Sequence, residues 1–385
     1  KLKNLDFIKK FKKKFNNLVD LKNLNAPIIF KDDYLSIKNS LNKNQISTYG
    51  RYTQIFENKL KQLTKSKYVI ATINGSAAMQ VSVIATGIKK NHEVLMPSLN
   101  YISNANAVSN CGAIPHFIDV EKENFGACPN KLQKYLKKNC KVIDNKLINK
   151  STNRVIKAII LVYIFGHPPK MNELIKISKK FKLTVIEDAA EALGSYYKKK
   201  HAGTFGEVGT LSFNGNKIIT TGGGGAVLTN SKKIAQKVLK LTTLGRKKHP
   251  WRFIFETNGY NYRLPSINAS LGISQLKKIN KLKNNNRILF KKYSNFFNSY
   301  NIAKVFADDK DSKSNYWLQA IILEKKNLKL RNEIIENFLR NKISVRPIWE
   351  LVSNQKMFVK CPKMKLNNSN ELISRIICLP SRLKF

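Results

Sequence analysis

Between residues 67 and 188 the chain alternates short β-rich runs with helical runs, and this alternation restricts its folds more than any other feature. Lys67 to Ile73 is rich in β-formers, and Ser76 to Ile88 has a helical pattern. Glu93 to Met96 reads as a strand, Tyr101 to Asn110 as a helix, Ala113 to Val120 as a strand and Pro129 to Lys138 as a helix. Val155 to Ile164 reads as a strand, Met171 to Phe181 as a helix and Leu183 to Asp188 as a strand. Strands separated by helices of about 10–15 residues predict βαβ units and a mostly parallel sheet. Ligands of such sheets sit at the carboxyl ends of the strands. Asn74-Gly75-Ser76, Pro97 to Tyr101, and Asp188 all fall at such ends.

After about residue 245 the alternation stops. Pro265 opens a helical pattern through Lys283 that extends as one long helix to Tyr300. A smaller α+β portion follows, with a strand over Tyr316 to Leu323, a helix over Leu328 to Arg340, and strands near Val345 and Ile376. At the other end, Leu2, Leu5, Ile8, Phe11, Phe15 and Leu18 recur at roughly helical spacing among lysines, predicting a basic amphipathic helix within residues 1–24. Such a helix can lie on a membrane surface, but we expect its stripe to pack on the protein itself or on a partner subunit. The expected division is an N-terminal helical segment (1–26), a large α/β domain (27–264), and the long helix with a small C-terminal α+β domain (265–385).

Composition bounds the partners. Hydrophobic residues make up 42% of the 385, enough for a full core. No apolar run has the length of a membrane span, and none near the N-terminus has the length of a signal peptide, so a cytoplasmic protein is expected. The net charge of +46 raises the question of nucleic acid. Lysine, asparagine and isoleucine abound everywhere, including in ordinary surface helices such as Lys277 to Lys292, so the charge reads as a composition bias and no nucleic-acid partner is expected. Such a field still attracts an anionic small substrate. Cys111, Cys128, Cys140, Cys361 and Cys378 have neither metal-ligand nor redox-pair spacing and read as reduced thiols. The five histidines form no zinc pattern.

The chemistry centres on Lys217. The run Thr210-Leu211-Ser212 leads through Phe213-Asn214-Gly215-Asn216 to this lysine, and Gly222 to Gly225 follow. Asp188 ends an apolar strand 29 positions earlier. A lysine for a Schiff base and an aspartate for a pyridinium nitrogen are what pyridoxal phosphate (PLP) chemistry requires. Taken alone, Lys217 is one of 70 lysines and arginines. Asn74-Gly75-Ser76-Ala77-Ala78 joins a strand to a helix, and the unpaired first amides of that helix make a phosphate site. Any strand-to-helix turn can carry Gly-Ser. This one is not a Walker loop, since no Gly-Lys-Ser/Thr follows, and the four glycines are not a dinucleotide fingerprint. Tyr101 can stack on a cofactor ring or pack in the core. A carboxylate at the end of a buried strand is costly without a partner. For Asp188 a pyridinium, a nearby arginine or an N-cap role would each offset that cost.

Together these stretches resemble the DegT/DnrJ/EryC1/StrS family of PLP-dependent sugar aminotransferases, of fold type I, from about Pro27 to the C-terminus. Glu187-Asp188-Ala189-Ala190 and the lysine stretch carry the resemblance. So do Gly259-Tyr260-Asn261-Tyr262-Arg263, Val345-Arg346-Pro347-Ile348-Trp349 and Ile377-Cys378-Leu379-Pro380-Ser381. Within the family, Cys111 to Val120, Gly126-Ala127-Cys128-Pro129, His249 to Arg263 and Cys361-Pro362-Lys363-Met364 look most like the branch that aminates UDP-4-keto-6-deoxy-N-acetylhexosamines of bacillosamine and legionaminic type.

The resemblance implies roles. Lys217 would form the Schiff base and then move protons at the substrate carbon, and Asp188 would keep the pyridine nitrogen protonated. Gly75, Ser76 and Ser212 would bind the phosphate, and Tyr101 would stack on the ring. Asn261 would reach the phosphate bound by the neighbouring subunit, making a homodimer obligatory. Many members carry glutamine where this chain has Glu191, near the cofactor's phenolic oxygen; a carboxylate there should alter the cofactor's titration. Leu99 and Asn100 also differ from the commoner residues before the aromatic. The implied reaction moves an amino group from glutamate to C4 of a nucleotide-linked 4-keto-6-deoxy sugar. Its rivals are a GDP-perosamine-type aminotransferase, a sugar dehydratase, and a non-catalytic basic binding protein that keeps the fold. The dehydratase branch has histidine at the lysine position, so Lys217 argues against it. Retention of Lys217, Asp188 and Ser212 together argues against the binding protein.

Overall fold

The computed structural model describes residues 6–325 and 330–384. Among them a nine-stranded sheet forms the centre of the molecule. From one edge its main path runs Tyr68–Thr72, Gly225–Thr229, Val208–Ser212, Thr184–Asp188, Val155–Val162, Glu93–Pro97 and Ile114–Ile118. The last five of these are mutually parallel, while Gly225–Thr229 is antiparallel to both neighbours. The hairpin Cys140–Ile143 with Lys146–Asn149 joins the sheet through Val155–Val162. Central strands such as Val155–Val162 are apolar because helices cover both faces of a parallel sheet. The parallel pairing brings the strand ends carrying Pro97, Asp188 and Ser212 to one edge, and the turn after Thr72 reaches the same edge.

Helix Gly75–Ala85 leaves that edge and packs on the strands Val208–Ser212 and Gly225–Thr229. Two expected helices differ in detail. The one expected from Tyr101 begins at Ser103, so Tyr101 stays in the turn, where its ring is exposed. The single long helix expected to Tyr300 is two, Ser266–Leu276 and Ile279–Asn298. At the break the ladder tightens to three-residue hydrogen bonds, Lys277 N–H to Ser274 and Lys278 N–H to Gln275. The Gln275 side chain there donates to Asp33 Oδ2 (2.6 Å) and the Ile28 carbonyl (2.9 Å). The strand expected from Tyr316 begins at Gln319, since Tyr316 has a left-handed backbone (φ 47°).

A four-stranded antiparallel sheet orders Ala303–Val305, Gln319–Leu323, Ile376–Leu379 and Arg346–Pro347. The N-terminal helix spans Asp6–Phe15. Its Phe7, Ile8, Phe11 and Phe15 are buried among Tyr293, Phe296, Phe297 and Phe338, so its apolar stripe faces the protein's own interior. Leu2 and Leu5 of the expected stripe, and the expected helix start at Leu328, lie outside the described residues.

Candidate active site

The carboxyl edge of the large sheet opens into a cavity of about 670 Å³. Gly75, Ser76, Tyr101, Asp188, Glu191, Ser212 and Lys217 line it. Of the expected catalytic and cofactor-binding residues only Asn261 does not; it is exposed and bridges to Thr243.

The anion-binding corner is built by a helix start. Asn74 is the N-cap of Gly75–Ala85 and accepts the Ala77 N–H at 2.7 Å. The N–H groups of Gly75 and Ser76 belong to the first turn, which has no intrahelical acceptors, and the positive end of the helix dipole lies there. A Cβ on Gly75 would fall 2.9 Å from Ser212 Cβ, so glycine lets the Ser212 hydroxyl approach the helix start.

Asp188 and its neighbour Glu187 point to opposite sides of one strand. Glu187 is satisfied inside the protein by Tyr163 Oη–H and the N–H groups of Gly203, Phe205 and Gly206. Asp188 faces the cavity. It accepts Asn104 Nδ2–H at 2.6 Å and the Ala190 N–H at 3.1 Å, and among the described residues it forms no ion pair. Burial pushes its carboxyl above the usual range, opposed by Asn104, Ala190 and the charge of Lys217. A cationic ring nitrogen, such as a PLP pyridinium, would offset that cost.

Lys217 Nζ lies 3.3 Å from Glu191 Oε1 and 4.1 Å from the centre of the Trp317 ring. Glu191 Oε2 accepts the Phe165 N–H at 2.8 Å. Phe165 has φ 56°, a left-handed conformation that costs about 1–3 kcal/mol in a non-glycine residue and is typical of functional sites. Anion corner, buried carboxylate and sequestered amine are the three parts a PLP site needs, so the donor set fits the cofactor. Tyr101 is 54% exposed and meets Trp349 edge-on at 5.8 Å.

Burial raises the Glu191 carboxyl above its ordinary value near 4.5; Lys217 and the Phe165 N–H pull it back, and Asp188 adds to the rise. The unfolded chain releases this proton at lower pH than the folded protein. Its contribution to stability is therefore fully present below the ordinary value and is lost as pH rises through the raised one. Glu191→Gln keeps an acceptor for Phe165 but removes the titration. The cofactor-free variant should exceed wild type in Tm at pH 8, with the gap closing toward pH 4. A pH-independent difference would place the titration elsewhere.

Sequence reasoning missed Asn104, Phe165 and Trp317 as site residues. Asn100 and Asn104, polar and four apart beside Ala105 and Ala107, are a signal that could have found the first. Nothing in the residue type marks the Phe165 turn.

A family model described as the DegT/DnrJ/EryC1/StrS aminotransferase family matches residues 27–385. The chain is 33% identical over 322 residues to the GDP-perosamine synthase of Escherichia coli O157:H7, covering 84% of this chain and 83% of the other. It is 30% identical over 348 residues to the GDP-perosamine synthase of Vibrio cholerae, covering 90% and 89%. Among solved structures it resembles Helicobacter pylori PseC, an aminotransferase involved in the biosynthesis of pseudoaminic acid, with a TM-score of 0.82, 23% identity and 93% of each chain covered; that likeness speaks for the fold alone. The family match and the relatives agree with the cavity's donor set, and the chain belongs to the DegT/DnrJ/EryC1/StrS family of PLP-dependent sugar aminotransferases.

Proposed function

We propose that the enzyme moves an amino group from glutamate to C4 of a nucleotide-linked 4-keto-6-deoxy hexose. The observation that carries this reading is the convergence of Lys217 Nζ, Asp188 and the start of helix Gly75–Ala85 on one cavity. When bound, PLP supplies a carbonyl to exchange the amino group and a ring to draw off electrons. In this reading Lys217 Nζ holds the cofactor covalently and then moves the proton at the substrate's C4. Asp188 keeps a proton on the ring nitrogen. The Gly75 and Ser76 N–H groups and the Ser76 and Ser212 hydroxyls hold the phosphate, and Tyr101 covers the ring. The buried walls formed by Phe165 and Trp317 keep water from the amine.

The stretches Cys111 to Val120 and His249 to Arg263 favour a UDP-linked N-acetyl sugar. A second reading, a GDP-linked sugar, is favoured by the two relatives named GDP-perosamine synthase. Incubating the enzyme with glutamate and a panel of UDP-, GDP- and dTDP-linked 4-keto-6-deoxy sugars decides between them. We expect an amino sugar and an equal amount of 2-oxoglutarate with one nucleotide series. Absence of amination across the panel would end the proposal.

The reading also shares each site between two subunits. Asn261 is exposed and stands outside the cavity of its own chain, as a residue serving a partner's cofactor would. Lys217→Ala and Asn261→Asp should each be nearly inactive as homodimers. Refolded as an equal mixture, roughly half of the dimers would be heterodimers with one intact site of two. About a quarter of wild-type activity should then return; proven heterodimers without recovery would assign Asn261 to its own chain.

A further inference from the structure

We propose that Arg382 is a positioning residue for Lys217, clamping the lysine's main chain together with Asn25. This rests on the reading that Lys217 carries the cofactor.

Arg382 is 3% exposed, yet among the described residues no carboxylate pairs with it. Its Nη2–H donates to the Lys217 carbonyl at 2.5 Å and its Nε–H to the Ala26 carbonyl at 3.1 Å, while Nη1 is buried without a partner. Burial pulls its ionisation down to about 10. A buried cation held only by carbonyls is an uncommon arrangement, since an unpaired buried charge is costly. Of its two acceptors, one is the main chain of the cofactor-holding lysine itself.

The preceding carbonyl is held as well. Asn216 O accepts Asn25 Nδ2–H at 2.8 Å and Trp317 Nε1–H at 2.6 Å. Asn25 Nδ2 also lies 3.2 Å from the Trp317 carbonyl, and its Oδ1 is buried and unpartnered. Two successive carbonyls of the lysine loop are therefore fixed by three donors from residues distant in the sequence. The two ends of the chain deliver two of them as a pair. Val19 bridges Leu383 antiparallel, the Asp20 N–H donates to the Arg382 carbonyl, and the Ser381 N–H donates to the Leu24 carbonyl. Asn23 to Ala26 then run along the cavity wall.

A lysine side chain has four rotatable bonds, so the position of Nζ is defined only if its main chain is defined. Loosening the clamp should let Nζ move relative to Glu191, and Coulomb interactions vary as 1/r. The effect would appear in the titration of the lysine–cofactor bond and in how readily that bond exchanges.

The test uses PLP-loaded wild type, Arg382→Lys and Arg382→Met. Lysine keeps the charge but not the fork that reaches two carbonyls. Peptide mapping after borohydride first locates the pyridoxyl group in wild type; a location other than Lys217 would end the underlying reading, separately from this proposal. With Lys217 confirmed, we expect both variants to release PLP to hydroxylamine at least fivefold faster. The pH midpoint of the visible band should shift by about half a unit. A packing role alone would lower Tm and leave both readouts in place. Unchanged release and midpoint in folded variants would overturn the proposal. If neither Arg382 variant folds, Asn25→Ala, which frees the neighbouring carbonyl, is measured in the same way: faster release supports the clamp and unchanged release overturns it.

Discussion

Lys217→Ala should abolish covalent cofactor attachment and lower turnover by on the order of 10⁴-fold or more, the scale seen when one indispensable catalytic group is removed. The reason is where this amine sits. Most of the chain's many lysines lie on the surface, but the Lys217 side chain is 14% exposed, with Glu191 and the Trp317 ring against Nζ and the cavity in front of it. In wild type, borohydride reduction and peptide mapping should find the pyridoxyl group on the peptide that contains Lys217. Its appearance on another lysine would sink the assignment, whatever the activity of the variant. The variant leaves Glu191 buried without its counter-charge, so a Tm somewhat below wild type is compatible with the prediction. Visible absorbance typical of bound cofactor in Lys217→Ala is not.

Residues that act through a local pattern were legible in the sequence. Asp188 ends an apolar strand, Gly75 opens a helix after one, and Ser212 and Lys217 lie on the strand and turn before four glycines. Each position is set by its own stretch of about ten residues, and the alternation of strands and helices then carries all four to one sheet edge. What the alternation could not announce lies outside its period. Helices Lys31–Asn42, Arg51–Thr64 and Lys232–Thr242 carry no βαβ signal, and Gly225–Thr229 runs antiparallel to both of its neighbours. The N-terminal helix was visible as a stripe, but a stripe names no partner; its partner is an aromatic cluster contributed by Tyr293, Phe296 and Phe338.

Contacts across long sequence separations were invisible for the same reason. Asn25 meets Asn216 and Arg382 meets Lys217 only because the chain ends are paired with each other. Trp317 reaches Lys217 from a segment expected to be strand, whose start was displaced by the left-handed turn at Tyr316. No periodicity encodes these meetings.

Asp188→Asn should keep the cofactor and lose the rate. The substitution is nearly isosteric, and an amide oxygen can still accept the N–H of Asn104 or Ala190, so the wall of the cavity should hold its shape. The lost property is the negative charge. In the folded protein that charge is disfavoured by burial and only partly supported by Asn104, Ala190 and Lys217. It therefore has a strong tendency to pair with a protonated ring nitrogen placed against it, and it should be worth more there than at a solvated surface. We expect turnover to fall by on the order of 100-fold or more, as when a preorganised electrostatic partner is removed. PLP should remain attached to Lys217. Stability gives an independent check with a definite sign. Because burial raises the carboxyl above its ordinary value of 3.8, wild type loses stability as pH rises through the raised value. The cofactor-free variant should then match or exceed wild-type Tm at pH 7 and lose that advantage toward pH 3.8. Slow turnover with an intact visible band and an undiminished Tm at pH 7 would mark an electrostatic role. Turnover near that of wild type would mean that another group holds the ring nitrogen's proton.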